Sequence, residues 1–243
     1  MKKLILVTLF SISTFVSMDT YAQVGSLDTK FSTKGYVTNA ISTSDDLAHS
    51  ISIQPDGKIV QIGETLEGSS GKNIAITRYN TDGTLDNTFD GDGRLVLNYA
   101  ISDIDLAYKV VVQKDGKILI GGYKILSGQD IIVARLNSDG TNDKNFNKGE
   151  HLTLSFGANE VLYDMLVDAN GKILLTGFTS AGGGFAGTKP YVVRLNSDGS
   201  VDNTFGTSGV AALYVSDYND IATWMQQSTS GKRSEERRVG KEC

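Results

Sequence analysis

The stretch ISIQPDGKIVQIG at residues 51–63 decides the fold. Ile51 and Ile53 alternate with Ser52 and Gln54, the period of two expected of a strand. Asp56-Gly57 is a tight-turn pair, because Gly and Asp reach positive φ cheaply and such turns match the twist of paired strands. The return run begins at Ile59-Val60 and ends on Gly63. The segment therefore predicts a β-hairpin. It recurs as VVVQKDGKILIGG at 110–122 and as MLVDANGKILLTG at 165–177. The return runs Ile118-Leu119-Ile120 and Ile173-Leu174-Leu175 are apolar on both parities, so both faces are expected to be covered.

A second block follows each hairpin. It reads RYNTDGTLDNTF at 78–89, RLNSDGTNDKNF at 135–146 and RLNSDGSVDNTF at 194–205. The turn glycines of the first block, Gly57, Gly116 and Gly171, are spaced by 59 and 55 residues. Those of the second, Gly83, Gly140 and Gly199, are spaced by 57 and 59. Two blocks in step over three copies establish an internal repeat. A third strand is predicted over 73–80, 130–137 and 191–196. A fourth is predicted over 94–99, 151–156 and 210–215. Four short antiparallel strands in such a unit make a sheet that cannot cover both its faces alone. Stacked neighbours must cover it, as in the blades of a propeller.

With both blocks in hand, the pattern Gln-x-Asp-Gly-Lys-Ile-x-x-x-Gly, then Arg-Tyr-Asn-x-Asp-Gly-x-Leu-Asp-x-x-Phe, closely resembles the delta-60 repeat of secreted bacterial β-propeller proteins. The resemblance spans about residues 23 to 232 and implies an all-β propeller outside the cytoplasm, with no shared reaction attached to it. Copy two departs from the pattern at Asn142, where the others carry Leu85 and Val201, and its Phe146-Asn-Lys-Gly149 corner is one residue short. Partial copies flank the three. Leu27-Asp-Thr-Lys-Phe31 with Gly35 is the end of an earlier unit, and residues 221–232 are the start of another. The expected fold is a partial propeller, an open arc of three four-stranded blades plus two fragments, because closed rings take about 4–8 blades. Gly35 to Asn39 is expected to form an outer strand. An open arc would leave apolar blade faces uncovered, a risk of aggregation.

The two ends of the chain read differently. Lys2 and Lys3, the apolar run Leu4 to Val16 and the small-x-small pattern Thr20-Tyr21-Ala22 make residues 1–22 a signal peptide, with Gln23 first in the mature chain. The run is short of the ~20 apolar residues of a spanning helix, so no membrane span is expected after cleavage. The 233–243 tail, RSEERRVGKEC, breaks every upstream pattern and resembles a translated sequencing adapter. It starts directly after Gly231-Lys232, so the repeat region 23–232 is read as incomplete. Cys243 is the sole Cys, which leaves the repeats without disulfides. The tail carries four positive and three negative residues and the leader two Lys and one Asp, so removing both takes the net charge from −5 to −7. That balance excludes a nucleic-acid footprint. Gly is 27 of 243 residues and Pro only two, which fits a chain of many tight turns without a collagen period.

The acidic turns are the candidate metal site. Asn80, Asp82 and Asp86 recur as Asn137, Asp139 and Asp143, then as Asn196, Asp198 and Asp202. Hard oxygens at alternate positions around a Gly suit calcium, although the set falls short of the usual 6–8 ligands and lacks the Glu that closes an EF-type loop. The competing reading is structural, with Asp-Gly forming the turn and Asp86 capping a short turn before Phe89. Arg78, Arg135 and Arg194 are read either as an anion-binding ring or as partners of the nearby Asp. Phe31, Phe89, Phe146 and Phe205 are read as core. His49 and His151 have no partner pattern and are read as surface residues. No nucleophile elbow, zinc-protease helix or phosphate loop occurs. Residues 182–187 are a loose glycine-rich loop between strands, not one that precedes a helix. The loops 66–72, 125–129 and 180–189 differ between copies, and Phe185 lies in the longest, so recognition is placed there. Two functions follow. The favoured one is a secreted or cell-surface, non-catalytic propeller scaffold presenting loops to a protein or glycan. The alternative is an extracellular propeller hydrolase or lyase.

Overall fold

The computed structural model describes residues 25–66, 71–99, 104–125, 128–180, 187–212, 219–227 and 233–237. The leader at 1–22 and the end of the tail lie outside the described residues, as do 67–70, 126–127 and 181–186 of the three variable loops. Three four-stranded antiparallel sheets follow one another in strict chain order. Blade 1 comprises β1 (Asp46–Ile53), β2 (Ile59–Leu66), β3 (Lys72–Tyr79) and β4 (Arg94–Leu97). Blade 2 comprises β5 (Ile104–Val112), β6 (Ile118–Ile125), β7 (Gln129–Leu136) and β8 (Leu152–Leu154). Blade 3 comprises β9 (Asn159–Val167), β10 (Ile173–Ser180), β11 (Lys189–Leu195) and β12 (Val210–Ala212). A two-stranded sheet of β13 (Ala222–Gln227) and β14 (Arg233–Arg237) follows. The sheets form the expected all-β propeller arc, and it is not closed.

Each first-block hairpin turns through three residues. Gln54 and Lys58 close the loop, with Gln54 N donating to Lys58 O at 2.8 Å and Gly57 N to Gln54 O at 2.9 Å. Gly57 has φ +85, Gly116 +82 and Gly171 +76, the left-handed region that a side chain would strain. Beyond the turn, the first strand of every blade carries a bulge. The register slips between Ala48 and Ser50, between Ala107 and Lys109, and opposite Thr176-Gly177. The extra residues are His49, Tyr108 and Tyr163. The bulge drives the first strand's backbone into the second. A Cβ on Gly63, Gly122 or Gly177 would stand 1.8, 1.8 or 1.9 Å from the carbonyl oxygen of Leu47, Leu106 or Val161. This close approach is why each hairpin motif ends in Gly.

The sheets stack face to face. Val60, Ile62 and Ile76 of blade 1 pack with Val110, Ile120 and Ile132 of blade 2. Leu119, Ile131 and Val133 of blade 2 pack with Leu162, Met165 and Leu175 of blade 3. Burying one such side chain contributes about 1.5–3 kcal/mol. One net hydrogen bond contributes about 1 kcal/mol. Among the described residues no ladder joins one sheet to the next, so it is this stacking, with the turn contacts between blades, that holds the arc together.

Two expectations need correction. Gly35 to Asn39, expected as an outer strand, form none, since they find no ladder partner among the described residues. The fourth strands of blades 1 and 2, expected over 94–99 and 151–156, are shorter than the sequence suggested. After Leu97 the chain leaves the ladder, and Tyr99 N donates instead to Asp105 Oδ2 at 2.9 Å. The short corner of copy two is absorbed locally. Gly149 N reaches Phe146 O at 2.8 Å through one 3-10 turn, with Asn147 and Lys148 at φ +43 and +62. Asn142 still bridges Leu136, as Leu85 bridges Tyr79.

Candidate functional site

The polar side chains that recur in every copy meet at one corner of each blade. Arg78 leaves β3 at its end, and the chain turns back through Asp82-Gly83 to bring Asp86 beside it. Asp86 Oδ2 accepts from Arg78 Nε at 2.7 Å and from Lys58 Nζ at 2.9 Å. Its Oδ1 accepts from the backbone N and the hydroxyl of Thr88 at 3.1 and 2.7 Å. The Arg78 guanidinium lies 4.9 Å over the Phe89 ring. Blade 2 repeats this with Arg135 and Lys117 on Asp143 at 2.7 and 3.1 Å, and blade 3 with Arg194 and Lys172 on Asp202 at 2.8 and 3.1 Å. Burial works to raise the Asp86 and Asp143 pKa values, but the Lys, Arg and turn hydrogen bonds outweigh it and hold both carboxyls below their ordinary range. In Asp202 the Thr204 hydroxyl leads the same downward shift.

The corner also latches each blade to the next. Arg78 Nη1 donates to the carbonyl of Ser138 in blade 2, and Arg135 Nη1 to that of Ser197 in blade 3 at 2.6 Å. The Phe89 ring covers Gly140, where a Cβ would stand 3.2 Å from it, and Asp90 N donates to Asp139 O at 3.0 Å. Phe146 covers Gly199 and Asn147 N donates to Asp198 O at 2.9 Å. The N-terminal fragment does the same to blade 1 through Phe31 on Gly83 and Ser32 N to Asp82 O at 2.8 Å.

The nine candidate calcium residues are thus distributed between two roles. Asp82, Asp139 and Asp198 each accept from the hydroxyl two residues on, Thr84, Thr141 or Ser200, at 2.7, 2.6 and 2.6 Å, and that bond lowers their pKa values. Asn80, Asn137 and Asn196 turn their amide N–H groups toward the same hydroxyls, at 3.0, 3.0 and 2.8 Å. Asp86, Asp143 and Asp202 face cations. A calcium ion at these turns would have to displace Lys58 and Arg78, or their counterparts, from the carboxylate. Among the described residues no group of three or more His, Cys, Asp or Glu is arranged to hold a metal ion.

A third repeated block, missed in the sequence, opens each first strand. It reads Asp46-Leu-Ala-His49, Asp105-Leu-Ala-Tyr108, Glu160-Val-Leu-Tyr163 and Asp220-Ile-Ala-Thr223. The acid fastens the incoming connection. Asp46 Oδ2 accepts from Ile41 N at 2.8 Å, Asp105 Oδ2 from Tyr99 N, and Glu160 Oε1 from Ala158 N at 3.1 Å. Burial raises the Glu160 pKa. The last residue of the block is the bulge, and the bulged rings line up across blades. His49 stacks on Tyr108 at 4.8 Å, and Tyr108 meets Tyr163 edge-on at 5.9 Å. His49 is exposed as expected, yet it has partners, since its Nε2 also lies 3.5 Å from Glu64. His151 is half-buried and lies against the Tyr99 ring at 4.2 Å. Burial lowers its pKa. The spacing acid-x-x-aromatic was visible in the sequence, but its copies share too few identities to stand out. Phe185 and its glycine-rich neighbours lie outside the described residues.

Three segments, 54–89, 113–146 and 169–205, match a family model described as "Domain of unknown function (DUF5122) beta-propeller". Each match runs from the hairpin turn to the latch Phe, so it takes in both repeated blocks and supports a β-propeller repeat family. No curated protein matches the chain.

Proposed function

We propose that the chain is a secreted, non-catalytic scaffold of the delta-60 kind, which presents the loops at 66–72, 125–129 and 180–189 to a protein or glycan partner. One observation supports this above the rest. The polar residues that recur from blade to blade spend their hydrogen-bonding capacity on one another. Arg78, Lys58, Thr88 and Asp86 close a corner and leave no nucleophile or free acid–base pair there. A ligand that recognises this chain must then read positions that differ between blades, and loop length and composition differ most.

The test has two arms. Residues 181–186 are replaced by a Gly-Ser segment of equal length, and the purified chain is compared with the parent on a glycan array and a panel of cell-envelope proteins. Loss of a parent signal at an unchanged melting temperature is the expected result. Turnover of any glycoside by the parent would favour the hydrolase or lyase reading and end this one. Export is read separately, by the mass of the mature chain, which is expected to begin at Gln23.

A further inference from the structure

We propose that Asn170 is a site of spontaneous covalent modification, where the folded chain loses a side-chain amide and its third hairpin turn gains the acid that the other two carry. Asn170-Gly171 is the one Asn-Gly pair in the sequence. It occupies the turn position that Asp56-Gly57 and Asp115-Gly116 hold in blades 1 and 2. In those turns the acid is engaged, with Asp56 Oδ1 accepting from Lys58 N at 3.1 Å and Asp115 Oδ1 from Lys117 N at 3.2 Å. Blade 3 gives that bond to another residue. Asp168, which stands where Gln54 and Gln113 stand, accepts through its Oδ1 from Lys172 N at 3.0 Å and from Asn170 N at 2.8 Å. Asn170 is exposed at the tip of the turn, and its carboxamide has no hydrogen bond among the described residues.

The reaction consumes only water. Gly171 N gives up its proton and bonds to Asn170 Cγ, closing a succinimide ring. The Cγ–Nδ2 bond breaks, and the amide leaves with that proton as ammonia. Water then opens the ring at one of its two carbonyls. Opening at Cγ restores the backbone and leaves aspartate at position 170. Opening at the backbone carbonyl leaves isoaspartate, with an extra methylene in the chain. Gly171 carries no side chain to hinder the attack, and the space beside it is open, since a Cβ there would meet only Ser197 Cβ at 3.9 Å. One bond stands in the way. Gly171 N donates to Asp168 O at 3.0 Å, and attack waits until it opens. The bond lies in an exposed turn, where local opening needs no unfolding of the sheet. The amides of the second block are protected twice. Asn80, Asn137 and Asn196 precede Thr81, Ser138 and Ser197, and their amide N–H groups are held on hydroxyls at 3.0, 3.0 and 2.8 Å.

The folded parent is incubated at neutral and mildly alkaline pH, digested and followed by peptide mass, with isoaspartyl groups labelled by an isoaspartate methyltransferase. The peptide that holds Asn170 is expected to gain the mass of an amide-to-acid exchange, in aspartyl and isoaspartyl forms. Those that hold Asn80, Asn137 and Asn196 are expected to keep theirs. The chain unfolded in urea is expected to convert about fivefold faster, the factor that one net hydrogen bond carries. Conversion in urea with none in the folded chain overturns the proposal, as does equal conversion at the amides of the second block. Gly122→Ala separates local from global opening, because it weakens the fold far from this turn. An unchanged rate is expected. A rate that climbs with the loss of stability places the reaction in the unfolded chain and overturns the proposal. Asn170→Asp has no amide to lose at that position and is expected to show no mass gain there. A gain equal to the parent's overturns the assignment.

Discussion

Replacing Gly122 with Ala tests the bulge that shapes every blade. Gly122 has an ordinary negative φ, so the substitution costs nothing in backbone conformation. The added Cβ would stand 1.8 Å from Leu106 O and 2.9 Å from Ala107 Cα. Both are backbone atoms, which yield only if β5 moves off β6 and the bulge at Tyr108 opens. Overpacking a tight site costs about 1–3 kcal/mol where side chains can give way. Here the ladder must give way, so about 3 kcal/mol is a lower figure. At about 2–4 °C per kcal/mol for a domain of this size, the melting temperature falls by about 6–12 °C or more. The adjacent Gly121 is the control. A Cβ there would stand 3.2 Å from Leu162 Cδ2 and 3.4 Å from Met165 Cε, the far ends of flexible side chains. Gly121→Ala is expected to shift stability by less than about 1 kcal/mol. Thermal unfolding followed by circular dichroism reads both. Equal effects of the two substitutions, or a neutral Gly122→Ala, would refute the claim that these glycines exist to admit the neighbouring carbonyl.

Arg135→Lys keeps the charge but loses the Ser197 hydrogen bond and the stacking on Phe146. It should cost about 2–3 kcal/mol in chemical denaturation. Arg194→Lys should cost less, because no following turn accepts its Nη1 among the described residues. Acid should destabilise the arc. The lowered carboxyls of Asp86, Asp143 and Asp202 contribute stability that is present above the unfolded value near 4 and is lost as pH falls through their folded values. Glu160, raised by burial, works in the opposite sense and offsets part of the loss. The melting temperature is expected to be flat from pH 7 to about 5 and to fall below that, and Asp143→Asn should flatten the fall. Millimolar calcium is expected to leave the melting temperature unchanged, because the three inner carboxylates already face two cations each. A rise of several degrees would mean that the turns take the metal.

The repeat length, the hairpin and the third strand were legible because turn glycines and alternating Ile are strong local signals. The Arg–Asp pairing was legible as a choice between two readings, since spacing alone does not say whether a guanidinium turns to a neighbour or to solvent. Its second bond, from Arg78 to Ser138 in the next blade, was not legible at all. It depends on how two sheets stack, which no local pattern encodes. The role of Gly63, Gly122 and Gly177 was hidden for the same reason. Their φ values are ordinary, so nothing in the turn vocabulary marks them, and the atom each avoids belongs to a residue sixteen positions earlier, Leu47, Leu106 or Val161. The outer strand at 35–39 failed for the complementary reason. A strand needs a partner, and the sequence pattern supplies only one side of the ladder.

Agreement among the copies measures structural duty. Arg78, Arg135 and Arg194 agree, as do Asp86, Asp143 and Asp202, because each blade must close its corner, and those of blades 1 and 2 also seize the next turn. The bulge does not agree. Its backbone is the same in the three blades, held open by a Gly on the second strand, yet it carries His49, Tyr108 and Tyr163 in turn, and in the two-stranded sheet Thr223 bulges opposite Arg237. The residues beside it are Ser50, Lys109, Asp164 and Trp224. The fold fixes where this row runs and leaves its chemistry free. A ligand bound to the repeated corner would see the same surface several times over and could not tell one blade from another. One that discriminates has to read the bulge row or the variable loops. Substitutions that alter recognition without altering stability therefore belong in the 181–186 loop, and those that alter stability alone belong at Gly122 and Arg135.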